Sequence, residues 1–364
     1  MDKIKIIIWG FGSMGSGMAE MLIGKKGVEI TGICDSHPER KGKDMLSVLK
    51  NNGSLINTDN LNYPKIIIKE KIKDIVTPGC ADVVLLATDS FTKKAYEKIV
   101  YLLKNKLNVI TTAEEMAYPM ASEPELSNQM DIIAKANGVS VLGTGINPGL
   151  IMDLLVVLMT GASIDVDHIK AERVNSLSPF GPAVMEEQGV GLTQEAFKSG
   201  VSDGSLAGHV GFNESVAMIT DAIGWKLSSK VQQTQEPIIT TVSRKTKYIE
   251  VEAGNVAGCS MNGYGHVDGK LKVEMVHPQQ IEPQVEGTDT GDYVTIKGTP
   301  NINLSIKPEV PGGIGTIAMC VNMIPQIINA SPGLKTMLDL PVPRAIMGDM
   351  RERITSIRSS LATQ

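Results

Sequence analysis

Three glycines near the N-terminus have the spacing of a turn that binds the phosphates of a dinucleotide. An apolar run, residues 4–9, leads into Gly10, Gly12 and Gly15, and residues 16–23 then have a helical pattern. In such a turn the first glycine permits the bend, the second admits the pyrophosphate, and the third lets helix and strand pack. The alternative interpretation of the same three glycines is an ordinary strand–turn–helix that binds no cofactor. We predict cofactor contacts from the three glycines and from Phe11, Ser13 and Met14.

A carboxylate follows the second predicted strand. The predicted strand Val28–Cys34 is followed by Asp35, which lies twenty residues after Gly15. A carboxylate at this position can hold a ribose 2′-hydroxyl and so favour NAD. The residues that follow could instead receive the 2′-phosphate of NADP if Asp35 turns aside; they are Ser36, His37, Arg40 and Lys41. The predicted cofactor is therefore NAD or NADP, with Asp35, Ser36 and Arg40 as contacts.

Polar residues follow two further predicted strands. Residues 82–87 lead into Thr88 and Asp89, and residues 107–111 lead into Thr112 and the pair Glu114 and Glu115. Ligands of an open α/β sheet lie beyond the carboxyl ends of its strands. We therefore predict that Thr88, Asp89 and Thr112 contact the cofactor and that the two glutamates lie at the functional edge of the sheet.

Strands alternate with helices over the first 145 residues, which predicts a Rossmann doubly wound parallel sheet. The predicted strands are 4–9, 28–34, 65–68, 82–87, 107–111 and 139–142, with helices at Phe91–Leu103 and Glu123–Ala136. The dinucleotide-binding domain is assigned to residues 1–145.

The pattern changes after a glycine-rich hinge, Gly143–Gly149, in which Pro148 suits the first turn of an apolar helix Leu150–Met159. A second α+β domain on a mostly antiparallel sheet is predicted for residues 146–310. Its predicted strands are His168–Val174, Pro237–Thr246, Val251–Asn262, Leu271–His277 and Tyr293–Gly298. Residues 311–364 are expected to return to the first domain through a helix Thr316–Ile328.

Composition excludes several classes. The 364 residues are 42% hydrophobic and 21% charged with a net charge of −5, so nothing favours binding to nucleic acid. No apolar stretch reaches the length of a membrane span, and the cytoplasm is the expected location. The four cysteines and five histidines show no metal-ligand spacing, so no metal is predicted.

Four motifs together resemble one family. They are Ile8–Gly15, Thr111–Pro119, Gly143–Gly149 and Gly208–Ser215. In order, these segments resemble the 2,4-diaminopentanoate dehydrogenases, a branch of the dihydrodipicolinate-reductase-like enzymes that is similar to the native amine dehydrogenases. The resemblance covers almost the whole chain. It implies NAD(P)-dependent oxidative deamination of 2,4-diaminopentanoate to 2-amino-4-oxopentanoate and ammonia in ornithine breakdown, and a homodimer.

An amine substrate gives the glutamate pair a task. Removing hydride from a carbon that bears nitrogen requires a neutral amine, so a base must take the ammonium proton, and the resulting iminium then needs an activated water. If the segment is extended, adjacent side chains cannot both face the cleft. Glu115 is the preferred base by its place in the motif, and Glu114 is the alternative. Both residues could equally be solvated carboxylates at a helix start.

Four residues are candidate substrate contacts: Asn147, Arg173, His209 and Glu214. Each also has an ordinary structural explanation, because Asn147 fits a turn, His209 fits a backbone-bonded loop histidine, and Glu214 fits the start of a helix Ser215–Ile223. Arg173, Lys170 and Arg244 are candidates for the substrate carboxylate by charge alone.

Two other functions fit the same turn. A dihydrodipicolinate-reductase-like imine reductase shares the fold, although the basic, His-rich substrate motif of that family is not evident. A non-catalytic NAD(P)H sensor would need the turn but no base, so the glutamate pair distinguishes it from an enzyme. The exposed edges of the second sheet offer a physical reason for pairing of two chains.

Overall fold

The structure is a computed structural model that describes residues 2–51, 63–206 and 208–355. The chain divides into two compact units, Met1–Ile146 with Gly312–Gln364, and Asn147–Pro311. Within the described residues, no helix has both the length and the apolar character needed to cross a membrane.

The first unit begins with alternating strands and helices. They are β1 (Ile4–Trp9), α1 (Ser13–Ile23), β2 (Val28–Cys34), α2 (Met45–Asn51), β3 (Val83–Leu86), α3 (Thr92–Lys104), β4 (Asn108–Thr111), α4 (Pro124–Asn137) and β5 (Ser140–Gly143). Strands β3, β4 and β5 are buried at every position, as expected for the centre of a parallel sheet that helices cover on both faces.

The second unit carries the remaining long strands. Its elements are α5 (Leu154–Thr160), β6 (Asp165–Ser176), α6 (Pro182–Glu187), α7 (Gln194–Asp203), α8 (Phe212–Ala222), β7 (Gln232–Ile239), β8 (Arg244–Lys245), β9 (Glu250–Val251), β10 (Val256–Val267), β11 (Lys270–Gln280), β12 (Gly291–Thr299) and β13 (Ile302–Ile306). Six of these strands form one sheet in the order β13-β12-β6-β11-β10-β7. All neighbours are antiparallel except β11 and β6.

The chain then returns to the first unit through α9 (Gly312–Asn322), α10 (Ile324–Asn329) and β14 (Gly333–Lys335). Helix α9 packs on α1, where a Cβ on Gly17 would lie 2.2 Å from Cδ1 of Ile317. Strand β14 completes a six-stranded parallel sheet in the order β14-β5-β4-β3-β1-β2. The predicted fold class is confirmed.

The predicted strand Pro237–Thr246 is divided between β7 and β8, and the predicted strand Val251–Asn262 is divided between β9 and β10. Three further predicted elements were wrong in detail. Residues 65–68 form no strand, because Ile67 bridges Asp44 while Lys69 bridges Cys34, so the segment alternates between two partners. The predicted helix Thr316–Ile328 begins four residues earlier and is divided at Met323 into α9 and α10.

The third error concerns the apolar helix after the hinge. It starts at Leu154 rather than at Leu150, so Pro148 is not in its first turn. Gly149 has a φ of +127°, which is not helical, and Asp153 caps the helix by accepting the N–H of Leu154 at 2.6 Å. Local turn geometry therefore overrides the apolar pattern.

Candidate active site

The glycine turn leaves an open space only at its second glycine. A Cβ on Gly10, whose φ is +94°, would lie 2.3 Å from the carbonyl oxygen of Ala87, and one on Gly15 would lie 1.8 Å from the carbonyl oxygen of Gly10. A Cβ on Gly12 would meet none of the described atoms within 4 Å. The fold itself therefore excludes side chains at the first and third positions, while the space at the second fits a pyrophosphate.

Helix α1 presents its N-terminus at this turn. Gly12 is the N-cap residue, and this helix, which is described throughout, has neither a side-chain cap nor an acidic residue in its first turn. Its first N–H groups and its dipole thus favour an anion. The residues present fit a dinucleotide.

Asp35 braces the turn. Its Oδ2 accepts the N–H of Phe11 at 2.6 Å, and its Oδ1 accepts the N–H of His37 at 2.7 Å. Nε of Arg40 lies 3.1 Å from Oδ2, and Asp35 is buried. The carboxylate is therefore placed beside the turn with a cation next to it, while Ser36 is exposed.

The polar residues after β3 and β4 differ in how they are engaged. The hydroxyl of Thr88 donates to Oδ2 of Asp89 at 2.6 Å, and Nζ of Lys98 lies 2.6 Å from the same oxygen. Thr112 donates its N–H to the carbonyl oxygen of Leu86 at 3.1 Å. Asp89 is thus paired within the first unit, and Thr112 is fixed to the sheet by its backbone.

The glutamate pair is not extended, contrary to the premise used to separate the two side chains. Residues Glu114–Ala117 form a 3₁₀ helix, and both glutamates are half-buried. Oε2 of Glu115 accepts the N–H of Thr92 at 2.7 Å, at the N-terminus of α3, where Phe91 provides no side-chain cap. Glu115 therefore has a structural contact with the helix in addition to any chemical role.

Close packing fixes the position of this 3₁₀ helix. A Cβ on Gly143, at the end of β5, would lie 2.1 Å from the carbonyl oxygen of Met116. The motifs that contain Gly143 and Glu115 are distant in sequence but are in direct contact in the first unit.

A polar cluster lies in the second unit. Nδ2 of Asn147 is 3.2 Å from Nε2 of His209 and 3.3 Å from Nδ1 of His277, and Nε2 of His277 is 2.9 Å from Oδ1 of Asn175. The ring of Phe212 lies edge-on to that of His209, with centroids 5.4 Å apart. We call these five residues the histidine cluster.

Both imidazoles of the histidine cluster are held neutral. Burial and the positive charge of Arg173 lower the pKa of His209 from 6.5 to about 4. Burial, His209 and Arg173 lower the pKa of His277 well below 6.5. Neutral rings can each offer one donor and one acceptor nitrogen.

The hinge and the loop that carries His209 are locked together. Asp153 is fully buried and accepts the N–H of Gly149 at 2.7 Å and the hydroxyl of Ser215 at 3.0 Å. Gly211 has a φ of +122°, and a Cβ there would lie 2.7 Å from Cδ of Pro148. Two motifs that are some sixty residues apart in the sequence are therefore in direct contact.

The charged candidates of the second unit are engaged within the protein. The guanidinium of Arg173 binds Oδ1 of Asp292 at 2.5 Å and the carbonyl oxygen of Val310 at 2.6 Å. Arg244 binds Glu286, and Lys170 lies 3.1 Å from Glu172. Glu214 is buried in the first turn of α8. The contacts of these four residues within the protein do not identify any of them as a substrate-binding residue.

Sequence reasoning missed three of the residues that organise this region: His277, Asn175 and Asp153. His277 ends the predicted strand Leu271–His277, and its alternation with Val273 and Met275, which places it on the buried face, was the available signal. Nothing in the sequence paired it with Asn147. The described residues contain no group of three or more histidine, cysteine or acidic side chains arranged to hold a metal ion.

Comparison with known proteins places the chain in a family. Residues 150–356 match the model of the 2,4-diaminopentanoate dehydrogenase C-terminal domain. A 2,4-diaminopentanoate dehydrogenase of Acetoanaerobium sticklandii is 61% identical over 355 residues, which are 98% of each chain. The chain belongs to the 2,4-diaminopentanoate dehydrogenase family. The matched C-terminal region contains His209, Asn175 and His277 of the histidine cluster.

More distant relatives of this family member are amine dehydrogenases. One from Streptomyces virginiae is 21% identical over 94% of this chain and 98% of its own. The solved structure of an amine dehydrogenase from Mycobacterium smegmatis is similar with a TM-score of 0.81 and 25% identity, over 95% of this chain and 98% of that one. These comparisons support the two-part architecture over nearly the whole length.

The glycine turn gives a matched pair of variants. Gly12→Val should fold like the wild type, because Gly12 has a φ of −74° and an open space, but should lose NADH binding, since the side chain would occupy the phosphate site. Gly15→Ala should instead lower the unfolding temperature. Thermal unfolding and a fluorescence titration with NADH measure the two effects. Normal NADH affinity in folded Gly12→Val would contradict this placement.

The neutral histidines predict a pH dependence of stability. Below about pH 6.5 a histidine in the unfolded chain takes up a proton that His209 in the fold does not accept until about pH 4. The free energy of unfolding should therefore fall as pH decreases from 6.5 towards 4. Unfolding temperatures measured from pH 7.5 to 5.0 should decline more in the wild type than in His209→Gln. An equal decline in both proteins would show that His209 contributes nothing to it.

Proposed function

We propose that this chain catalyses the reversible NAD(P)-dependent oxidative deamination of 2,4-diaminopentanoate to 2-amino-4-oxopentanoate and ammonia. The observation that carries the proposal is the 61% identity, over 98% of each chain, to a dehydrogenase named for that substrate. The glycine turn and the glutamate pair supply the two features that such a reaction needs: a dinucleotide site and a base.

The alternatives have less support. Family membership favours an amine-oxidising dehydrogenase over a dihydrodipicolinate-reductase-like imine reductase. A sensor that only binds NAD(P)H has no need of the carboxylates at residues 114 and 115, which begin the 3₁₀ helix that follows β4. Formation of NADH from 2,4-diaminopentanoate, with ornithine and simple diamines as comparison substrates, tests the choice. Absence of product with active, folded protein would overturn the dehydrogenase proposal.

The chemistry assigns two proton-transfer tasks to the protein. Glu115 takes a proton from the C4 ammonium group, which leaves a neutral amine on the carbon that is oxidised. A bound nicotinamide would accept the hydride from C4. Glu115 passes this proton to solvent and then removes a proton from the water that attacks the iminium carbon. It returns that proton to the nitrogen of the carbinolamine, so that ammonia leaves as the C4 carbonyl forms and the hydroxyl proton passes to Glu115. Because the N–H of Thr92 holds Oε2, we assign these transfers to Oε1.

For the cofactor we propose that the segment Gly10–Gly15 holds the pyrophosphate and that Asp35 accepts a hydrogen bond from a ribose hydroxyl. Arg40 lies 3.1 Å from Asp35 and offsets its charge, so that NADP is admitted as well as NAD. Ser36 belongs to the same ribose site. Thr88, Asp89 and Thr112 are proposed to line the cofactor site at the carboxyl ends of β3 and β4.

For the substrate we propose that Asn147 and His209 make direct contacts. Arg173 is engaged by Asp292 and Val310, and Glu214 is 2% exposed. We therefore propose that Arg173 and Glu214 do not contact the substrate directly but influence the substrate site through charge and packing. The homodimer, the cytoplasmic location and the place in ornithine breakdown stay predictions of the family resemblance.

Asp35 should govern the preference between the two cofactors. Asp35→Ala removes an acceptor for the ribose hydroxyl and a charge that opposes a 2′-phosphate, so kcat/KM should fall more with NAD than with NADP, roughly 10-fold in the ratio. Asp35→Asn is the matched control for bracing of the turn, since its amide oxygen can still accept one of the two N–H groups. An unchanged ratio in both variants would show that Asp35 does not contact the ribose.

Glu115 should be the base. Glu115→Gln keeps the shape of the side chain, and an amide oxygen for the N–H of Thr92, but cannot take a proton, so turnover should fall roughly 10²–10⁴-fold. Cofactor affinity and unfolding temperature should change little. In the wild type the rate at saturating substrate should rise with pH through one ionisation, and this rise should disappear or move in the variant.

Glu114→Gln is the matched control, and it should lose much less activity. If Glu114→Gln were inactive and Glu115→Gln active, the two roles would be reversed. If both variants kept full turnover over the pH series, no carboxylate of this pair would be the base.

A further inference from the structure

The amide of Asn147 lies between two imidazole nitrogens. The same atom, Nδ2, is 3.2 Å from Nε2 of His209 and 3.3 Å from Nδ1 of His277. An Asn side chain has two N–H donors and one acceptor oxygen, so this arrangement uses both donors if both nitrogens accept. The direction of the amide thus depends on which imidazole nitrogens carry hydrogen.

A backbone carbonyl fixes that direction through three side chains. Nδ2 of Asn175 donates to the carbonyl oxygen of Ser176 at 3.5 Å, so Oδ1 of Asn175 faces His277 as an acceptor. Nε2 of His277 must then carry the hydrogen, at 2.9 Å from that oxygen. In a neutral ring Nδ1 is therefore an acceptor, and Asn147 must present an N–H to it.

These hydrogen bonds leave Oδ1 of Asn147 available to accept a hydrogen bond from a ligand. Both N–H groups of the amide are directed at histidines, and among the described residues no donor contacts its oxygen. Asn147 is half-buried, whereas Asn175 and His277 are buried. The series of hydrogen bonds from Asn175 through His277 to Asn147 thus begins in the core and ends at an acceptor oxygen on a half-buried residue.

The surroundings of this oxygen suit a cation. The rings of His209 and His277 meet edge to face with centroids 4.7 Å apart, and Phe212 lies against both. Aromatic rings attract an ammonium group, and a partly desolvated acceptor binds one more strongly than it would in water. Arg173, whose charge lowers the pKa of both histidines, is held in an ion pair with Asp292. A carboxylate of the substrate would find no donor on Asn147.

We propose that Oδ1 of Asn147 binds the C2 ammonium group of the substrate and that His277, held by Asn175, is the positioning residue that orients this acceptor. The inference rests on the proposed function, because it takes 2,4-diaminopentanoate as the substrate. It assigns the selectivity for a second amine, two carbons from the reacting one, to the histidine cluster. The C4 amine is the group that is oxidised, so the C2 group keeps its charge throughout.

The test compares 2,4-diaminopentanoate with 4-aminopentanoate, which lacks only the C2 amine. His277→Leu should lower kcat/KM for the diamine about 10- to 100-fold, mainly through KM, as expected for loss of a hydrogen bond to a charged group. Activity on 4-aminopentanoate should change less than about threefold by the same reasoning. His277→Gln is the conservative variant, because its amide can accept from Asn147 and donate to Asn175, and it should restore most of the selectivity.

A second variant covers the case in which His277→Leu does not fold. Asn147→Ala removes the acceptor itself from a half-buried position and should give the same selective loss. Unfolding temperature and NADH affinity, measured on each variant, separate this effect from general damage. Equal losses for both substrates, or an unchanged ratio in His277→Leu and Asn147→Ala, would overturn the inference.

Failure of the proposed function gives a different result. If the wild type formed no NADH from either compound, calorimetric titration would still measure binding. Tighter binding of the diamine than of 4-aminopentanoate, lost in Asn147→Ala, would then support the acceptor site while the proposed reaction failed. Equal binding of the two compounds would overturn the acceptor site.

Discussion

The buried carboxylate of Asp153 is the contact on which the second unit's polar region depends. It accepts the N–H groups of Gly149 and Leu154 and the hydroxyl of Ser215, and so joins the hinge, the start of α5 and the first turn of α8. Burial raises the pKa of this group, and the three donors oppose that effect. A buried carboxylate is costly unless it is satisfied by hydrogen bonds, and here its donors are the segments that must be held together.

The consequences extend to the histidine cluster. With Gly149 and Ser215 fixed, Pro148 and Gly211 come into contact that only a glycine permits. Asn147 and His209, each one or two residues away along the chain, then lie at hydrogen-bond distance. The cluster is thus a product of backbone packing, and its side chains need little further ordering before a ligand arrives.

The first unit shows the same division between packing and function in its glycines. Gly10 and Gly15 are glycines because other atoms occupy the space of a side chain, whereas a Cβ on Gly12 would meet no atom of the described residues within 4 Å. Glu115 combines the two roles, since one carboxylate oxygen caps α3 and the other is left for proton transfer in the proposed reaction. A carboxylate anchored in this way keeps a defined orientation, which proton transfer requires.

The sequence by itself determined the parallel sheet, the glycine turn with Asp35, and the four motifs that indicate the family. These features depend on local spacing and on apolar runs, which are visible along one dimension. It did not determine that residues 65–68 alternate between two partners, that Pro148 lies before the helix, or that the glutamate pair is helical. Local turn geometry around Gly149 and Asp153 decides where the helix begins, whereas residues 65–68 and the glutamate pair are fixed by contacts with residues distant in the sequence.

Only the tertiary structure decided which polar residues meet. Asn147, Asn175, His209 and His277 lie in four separate segments, and no spacing connects them. Arg173 looked like an available charge in the sequence, but the fold pairs it with Asp292. The physical reason is that a hydrogen bond or an ion pair depends on distances of about 3 Å in space, which strand pairing and close backbone packing set and which sequence separation does not.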